Sequence, residues 1–316
     1  SATGTWVGGV VPTAADDVVL ASTSGNVTID VNSVCRSLDC QASGNYAGTL
    51  AVASGVFLTI GDATAGAGNR ALRFSATMTH NTGGDRGFIF ASSSATVQTV
   101  TTAGKQPGVV LFGTGAVSPS YQLADALSCA TGATVTLTRG TLDTNSQAVT
   151  CWAFSSSNSN TRTLTLGSST ITCTGTGTAW DTATVTGLTV TANTATITLS
   201  GAGSTFTSSA KDFAGATLLL SGSGTQTISG SPTFAGITRT GTASKTDALS
   251  VTASPTVTGT FTVTGNSATN RVLVTSSTTG TARTITAAAV SLTNADFADI
   301  TGAGAASWTG TSLGDC

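Results

Sequence analysis

The stretch "TATVTGLTVTANTATITL", Thr182 to Leu199, carries an apolar or small residue at nearly every second position, with the phase reset at Gly187 and Asn193. A period of two is that of a β-strand with one buried face, because successive side chains point to opposite sides of the chain. "TVTGTFTVTG", Thr256 to Gly265, repeats the pattern. A Gly/Ser/Thr-rich disordered linker has no reason to keep such a register, so the chain is read as folded and built from short strands.

Composition agrees. Charged residues make up 8% of the 316, against about a quarter in ordinary globular proteins. There is no glutamate, and the lysines are only Lys105, Lys211 and Lys245. Helix formers are therefore scarce, while the abundant Thr and Val suit a pleated surface. A net charge of −2 and a pI near 5.1 provide no basic patch for phosphate backbones, so nucleic acid is not an expected partner. No apolar run approaches the roughly 20 residues of a membrane span, so no membrane insertion is expected. The start at Ser1 suggests removal of a Met or a leader.

Segments such as "GNVTIDV" (Gly25 to Val31), "GATVTLTRGTL" (Gly132 to Leu142) and "RTLTLGSSTITC" (Arg162 to Cys173) recur from end to end, separated by Gly, Ser or Asn turns. Two architectures suit them: an array of antiparallel β-sandwiches, or a parallel β-solenoid. No linker or composition break separates sandwich-sized domains. Inward residues are small or β-branched, with few rings, as a narrow coil requires. Thr and Ser can also form hydrogen-bonded ladders between neighbouring turns. The expectation is an all-β, right-handed parallel β-helix (β-solenoid) over residues 1–316, with residues 1–24 as an N-terminal capping turn and residues 290–316 as the C-terminal end segment.

Cys129, Cys151 and Cys173 are evenly spaced along the chain (151 − 129 = 173 − 151 = 22). A coil of about 22 residues per turn would stack them at the strand spacing of roughly 4.8 Å, within reach of a disulfide, and would give about 14 turns. Coincidence and buried free thiols are the alternative reading.

Candidate chemistry is sparse. Asp16 and Asp17, in "WVGGVVPTAADDVVL" (Trp6 to Leu20), point to opposite faces if the chain is extended, so they read as a turn cap after Pro12. Asp296 and Asp299 are likewise separated across a strand. A glycosidase needs two convergent carboxylates, and without glutamate all must be aspartates. His80, Asp85 and Arg86 in "MTHNTGGDRG" are the one cluster of base, acid and cation, and with Trp152 they are the candidate binding residues, for sugars if exposed. Their plainer reading is a surface loop. Aromatics such as Trp6 and Trp180 are expected to plug the ends or corners of the coil. No phosphate-binding loop, HExxH or CxxC motif is present, so no catalytic residue, metal or cofactor is assigned.

Together, "WVGGVVPTAADDVVL", "NVTIDVNSVCRSLDC" (Asn26 to Cys40), "GTLAVASGVFLTIGD" (Gly48 to Asp62), "RTLTLGSSTITCTGTGTAW" (Arg162 to Trp180) and "VSLTNADFADITGAGAASW" (Val290 to Trp308) resemble Thr/Gly/Ser-rich β-helical repeat proteins of tailed phages and environmental bacteria. The resemblance implies a non-enzymatic structural role, extracellular or on the virion surface: a tail fibre, spike or decoration protein, or a bacterial adhesin or self-assembling fibre. It implies partners among virion or surface proteins, surface glycans, or copies of the chain in a trimer or fibre. It carries over no catalytic residue. A polysaccharide-degrading β-helix enzyme is the competing expectation.

Overall fold

A computed structural model describes residues 6, 9–81, 83–115, 117–304 and 307–315. Parts of the expected end segments, residues 1–5 and 305–306 among them, lie outside the described residues. Among the described residues the strands pair in parallel, each with the equivalent strand of a neighbouring turn, and a short 3-10 turn at Ala67–Asn69 interrupts them. The chain is a parallel β-solenoid of about 12 turns. The antiparallel sandwich alternative is excluded by the pairing direction.

The turns are not of one length. Arg283 sits opposite Ile300 (300 − 283 = 17), whereas Leu38 sits opposite Leu72 (72 − 38 = 34). The constant period suggested by the cysteines therefore overestimates the number of turns. The strands must stack in register, but the corners between them loop out into solvent, where extra residues cost little.

The strands fall into two compact units, Ser1–Trp152 with Asn160–Thr165, and Ala153–Ser159 with Leu166–Cys316. In the first, one face stacks Asp17–Val19, Ser37–Asp39, Arg70–Arg73, Val97–Thr101, Ser120–Leu123, Gly140–Asp143 and Arg162–Thr165. A second face stacks Ser33–Cys35, Phe57–Ile60, Gly87–Phe90, Val109–Phe112 and Thr134–Leu137. In the second unit, Thr170–Cys173, Thr196–Leu199, Asp212–Leu220, Thr233–Thr240, Thr256–Thr264 and Arg283–Ala298 form one continuous ladder. The corners need tight backbone: Gly113 has φ +74°, and a Cβ there would lie 1.8 Å from the Arg139 carbonyl oxygen, so no other residue fits.

The interior departs from expectation in two ways. Aromatic rings, Trp180 among them, are stacked inside the coil and not confined to its ends or corners. Phe154, Trp180 and Phe206 occupy one register column, with centroids 4.4 and 5.8 Å apart and planes within 27°. Phe90 over Phe112 (4.9 Å, 15°) and Phe213 over Phe234 (5.0 Å, 10°) do the same. The strand spacing of about 4.8 Å is itself a ring-stacking distance, so an in-register parallel sheet accepts one ring per turn.

The second departure is buried charge. Arg162 and Arg239 are both fully buried. Arg239 takes an inward position among Leu199, Leu220, Val263 and Leu292. It donates hydrogen bonds to the carbonyls of Thr240 (2.6 Å), Gly224 (2.9 Å), Ala248 (3.2 Å) and Leu220 (3.3 Å), and faces the buried Asp247 carboxylate at 3.8 Å. Asp247 in turn accepts the N–H groups of Gly224 (2.7 Å) and Thr242. Burial raises the Asp247 pKa, but these donors and Arg239 outweigh it and hold the carboxyl below its usual range.

Candidate functional site

At the N-terminal end, Asp16 accepts the Thr13 N–H (2.8 Å) and hydroxyl (2.7 Å), closing a turn just after Pro12. Asp17 does different work: it receives Arg36 in a bidentate pair (2.9 and 2.5 Å), the Ser37 hydroxyl (2.5 Å) and the Ala67 N–H (3.4 Å). It clamps the first turn to the second. The two carboxylates do not converge. Trp6 lines an apolar hollow with Val11, Pro12, Val18, Leu20 and Val27. Around it the first strands, Asp17–Val19, Val27–Ile29 and Ser33–Cys35, each pair on one side only among the described residues.

The same clamp recurs. Arg73 forms a bidentate pair with Asp39 (2.8 and 2.7 Å), which lies directly opposite it one turn earlier. Arg271 does so with Asp296 (2.8 and 2.6 Å). Asp125, Asp143, Asp181, Asp212 and Asp299 accept backbone N–H groups at turns. Hydrogen bonds from their arginines or from neighbouring hydroxyls and amides hold Asp16, Asp17, Asp85 and Asp296 below the ordinary carboxylate value of 3.8. A depressed folded pKa stabilises the fold above the unfolded value and loses that contribution as pH falls through the folded one. The melting temperature should therefore decline only slightly from neutral pH to about pH 5, where His80, its folded pKa lowered by burial, protonates more readily in the unfolded chain, and fall steeply below about pH 4, as a circular dichroism series from neutral to strongly acidic pH would measure.

His80, Asp85 and Arg86 do not form a catalytic group. His80 lies in the short strand Thr79–His80, with its ring against Phe74 (5.2 Å) and Phe88 (5.8 Å). Its Nδ1 donates to the Leu50 carbonyl (2.9 Å), and burial, aided by the Arg86 charge, lowers its pKa, so the ring is neutral at pH 7. Asp85 and Arg86 pair with each other (3.0 Å), while Arg86 also donates to the Val52 carbonyl (2.8 Å) and the Ser54 hydroxyl to Asp85. Met78 is buried too, so this stretch is partly core rather than a surface loop. Trp152, half-buried, lies in another turn, with its backbone N–H donating to the Ala133 carbonyl (2.8 Å).

The register places Cys129 next to Cys151, since Leu127 and Ser128 face Val149 and Thr150. Both are buried, as is Cys173. Cys35, Cys40 and Cys129 are free thiols, and burial pushes each pKa up to about 12. They should resist a thiol reagent in mildly alkaline buffer in the native protein and react on denaturation, because the thiolate is the reactive form. Fast labelling of the folded chain would contradict their burial. Among the described residues, no three His, Cys or Asp side chains cluster as a metal site.

The outer face of the long ladder in the second unit is different in kind. Three adjacent outward columns run along it: Thr170, Thr196, Thr217 and Gly236, taken up after a register shift by Thr260 and Ala289; Thr172, Thr198, Leu219, Thr238, Thr262, Ser291; and Thr240, Thr264, Thr293, Thr311. None of these residues is charged. The expected hydroxyl-to-hydroxyl bonds between turns occur elsewhere, from Thr252 to Ser229 (3.5 Å) and from Ser157 to Thr184 (3.3 Å), but not on this face: among the described residues, the hydroxyls of Thr196, Thr198, Thr217, Thr238 and Thr262 have no hydrogen-bond partner in the protein. On this face, equivalent oxygens that share one rotamer lie a strand spacing of about 4.8 Å apart, too far for a hydrogen bond.

Compared with known proteins, the chain matches no family model, no curated protein and no solved structure.

Proposed function

We propose that this chain is a non-enzymatic structural β-solenoid acting outside the cell, on the surface of a phage virion as a fibre, spike or decoration protein. The observation that carries the reading is the engagement of its carboxylates. A polysaccharide-cleaving solenoid needs two of them convergent and open to substrate, whereas Asp17, Asp39, Asp247 and Asp296 clamp turn to turn and most of the rest cap corners. Few charges and a hydroxyl-rich exterior suit a surface protein that must resist proteolysis, and surface glycans are its expected contacts.

A second reading, an adhesin or self-assembling fibre, is favoured by the first turn. Among the described residues its three strands have unpaired edges, and Val19, Val31 and Val34 are exposed beside them. Exposed strand edges pair readily with other chains, including further copies in a trimer or fibre. Density-gradient banding of the source material, followed by mass spectrometry, tests both. Co-migration with particles supports the virion role; recovery in cell envelopes or free filaments overturns it in favour of the second. Release of new reducing ends from a polysaccharide panel would overturn the non-enzymatic reading.

A further inference from the structure

The geometry points to ice as the ligand of the threonine face: the columns through Thr196, Thr198, Thr217, Thr238, Thr260 and Thr262 form a lattice that orders water into an ice-like layer and binds it to a growing crystal. This does not depend on where the protein is displayed.

The first support is periodicity in two dimensions. Across the strands the array repeats at about 4.8 Å, and along each strand, where alternate residues share a face, at roughly 6.6 Å. Both periods approximate oxygen repeats of hexagonal ice. The middle column, Thr172 to Ser291, is continuous, because the register shifts of this ladder, between Phe213 and Thr217, Phe234 and Ile237, and Val257 and Thr260, fall ahead of it; the second of them interrupts only the neighbouring column, between Gly236 and Thr260. Beyond those points Leu218, Ile237, Phe261 and Val290 stack inward, and the intervening residues stack outward, without slippage.

The second support is chemical and independent of spacing. The array hydroxyls have no partner in the protein, so water must satisfy them. Each threonine sets a methyl beside its hydroxyl. The hydroxyls anchor water, and the methyls, which cannot hydrogen-bond, confine the molecules between columns. A charged group would instead orient its own hydration shell, and none stands in the three columns. Threonine is stiff at χ1 and is flanked on both sides by neighbouring strands, so little side-chain entropy is lost on binding.

Recombinant protein spanning residues 1–316 should show thermal hysteresis with faceted crystals in nanolitre osmometry, and should partition into a slowly grown ice hemisphere. Thr198→Lys and Thr238→Lys, which place a charge mid-lattice on solvent-facing positions, should lose most of that hysteresis while keeping the native circular dichroism spectrum and melting temperature. Thr227→Lys, on a different ladder beside Thr205, should retain it. Should a lysine variant fail to fold, Thr238→Ser, which deletes only the methyl, should still weaken hysteresis. Round crystals and exclusion from ice by the wild-type protein would overturn the assignment. So would undiminished hysteresis in the folded lysine variants, or retention on crystalline cellulose or chitin without any effect on ice.

Discussion

Replacing Arg239 with alanine should destabilise the second unit by about 3–5 kcal/mol, the usual cost of breaking a buried ion pair from one side. Three losses combine. The Asp247 carboxylate, whose side chain is 1% exposed, keeps the N–H groups of Gly224 and Thr242 but loses its cation. The carbonyls of Leu220, Gly224, Thr240 and Ala248 lose a shared donor, although the Gly224 carbonyl keeps the Ala248 N–H (3.2 Å). A cavity replaces the guanidinium and its stem. Urea denaturation followed by fluorescence of Trp180 and Trp308, both in this unit, measures the change. Arg239→Ala with Asp247→Asn should recover part of it, because the uncompensated charge is then gone. A loss below about 1 kcal/mol for the single variant would mean that water reaches Asp247 and that the pair is not buried in solution.

Trp180→Ala should cost a comparable amount, about 3–5 kcal/mol. Trp180 is fully buried and touches three rings: Phe154 and Phe206 face to face, and Phe213 edge-on at 6.1 Å. Its indole N–H donates to the Thr182 hydroxyl (3.1 Å), so truncation also leaves that oxygen short of a partner. Rigid strands above and below cannot close over the hole. Trp180→Phe keeps a ring in the column and should cost less than half as much. Thermal melting and thermolysin resistance measure both, and near-ultraviolet circular dichroism reports whether the stack survives. Equal losses for Ala and Phe would show that the hydrogen bond, and not the stack, carries the stability.

The parallel solenoid was legible because alternation is a local property. A strand buried on one face must place apolar side chains at every second residue whatever its neighbours do, so "TITL" and "TFTVT" declare themselves in isolation. The clamps were not legible. The separation along the chain is 19 for Asp17 and Arg36, 34 for Asp39 and Arg73, and 25 for Arg271 and Asp296. No fixed offset links such pairs, because each depends on how many residues loop out at the corners of its own turn.

The site residues divide the same way. That Asp16 caps a turn follows from "PTAADD" itself, since Pro12 and a short acceptor side chain favour a turn wherever they occur. That Asp17 instead binds Arg36 required the second turn to be in place. His80 reads as a loop residue because Gly83 and Gly84 follow it, yet Phe74 and Phe88 draw its ring inward. Alternation through "GITRTG" does put Arg239 on the inner face, and the pattern was a usable signal. Only the carbonyls arriving from other turns make a guanidinium tolerable there.

The residues alone require an all-β chain of short strands and specify which face of each is buried, because those features follow from the two-residue period of an extended backbone. Folding in three dimensions set the number of turns, the partners of every clamping charge, the stacking of rings inside the coil and the assembly of isolated threonines into a lattice. Each of these depends on register between strands far apart in sequence, at separations that change from one turn to the next. Register is set by corner lengths and packing that no local pattern encodes.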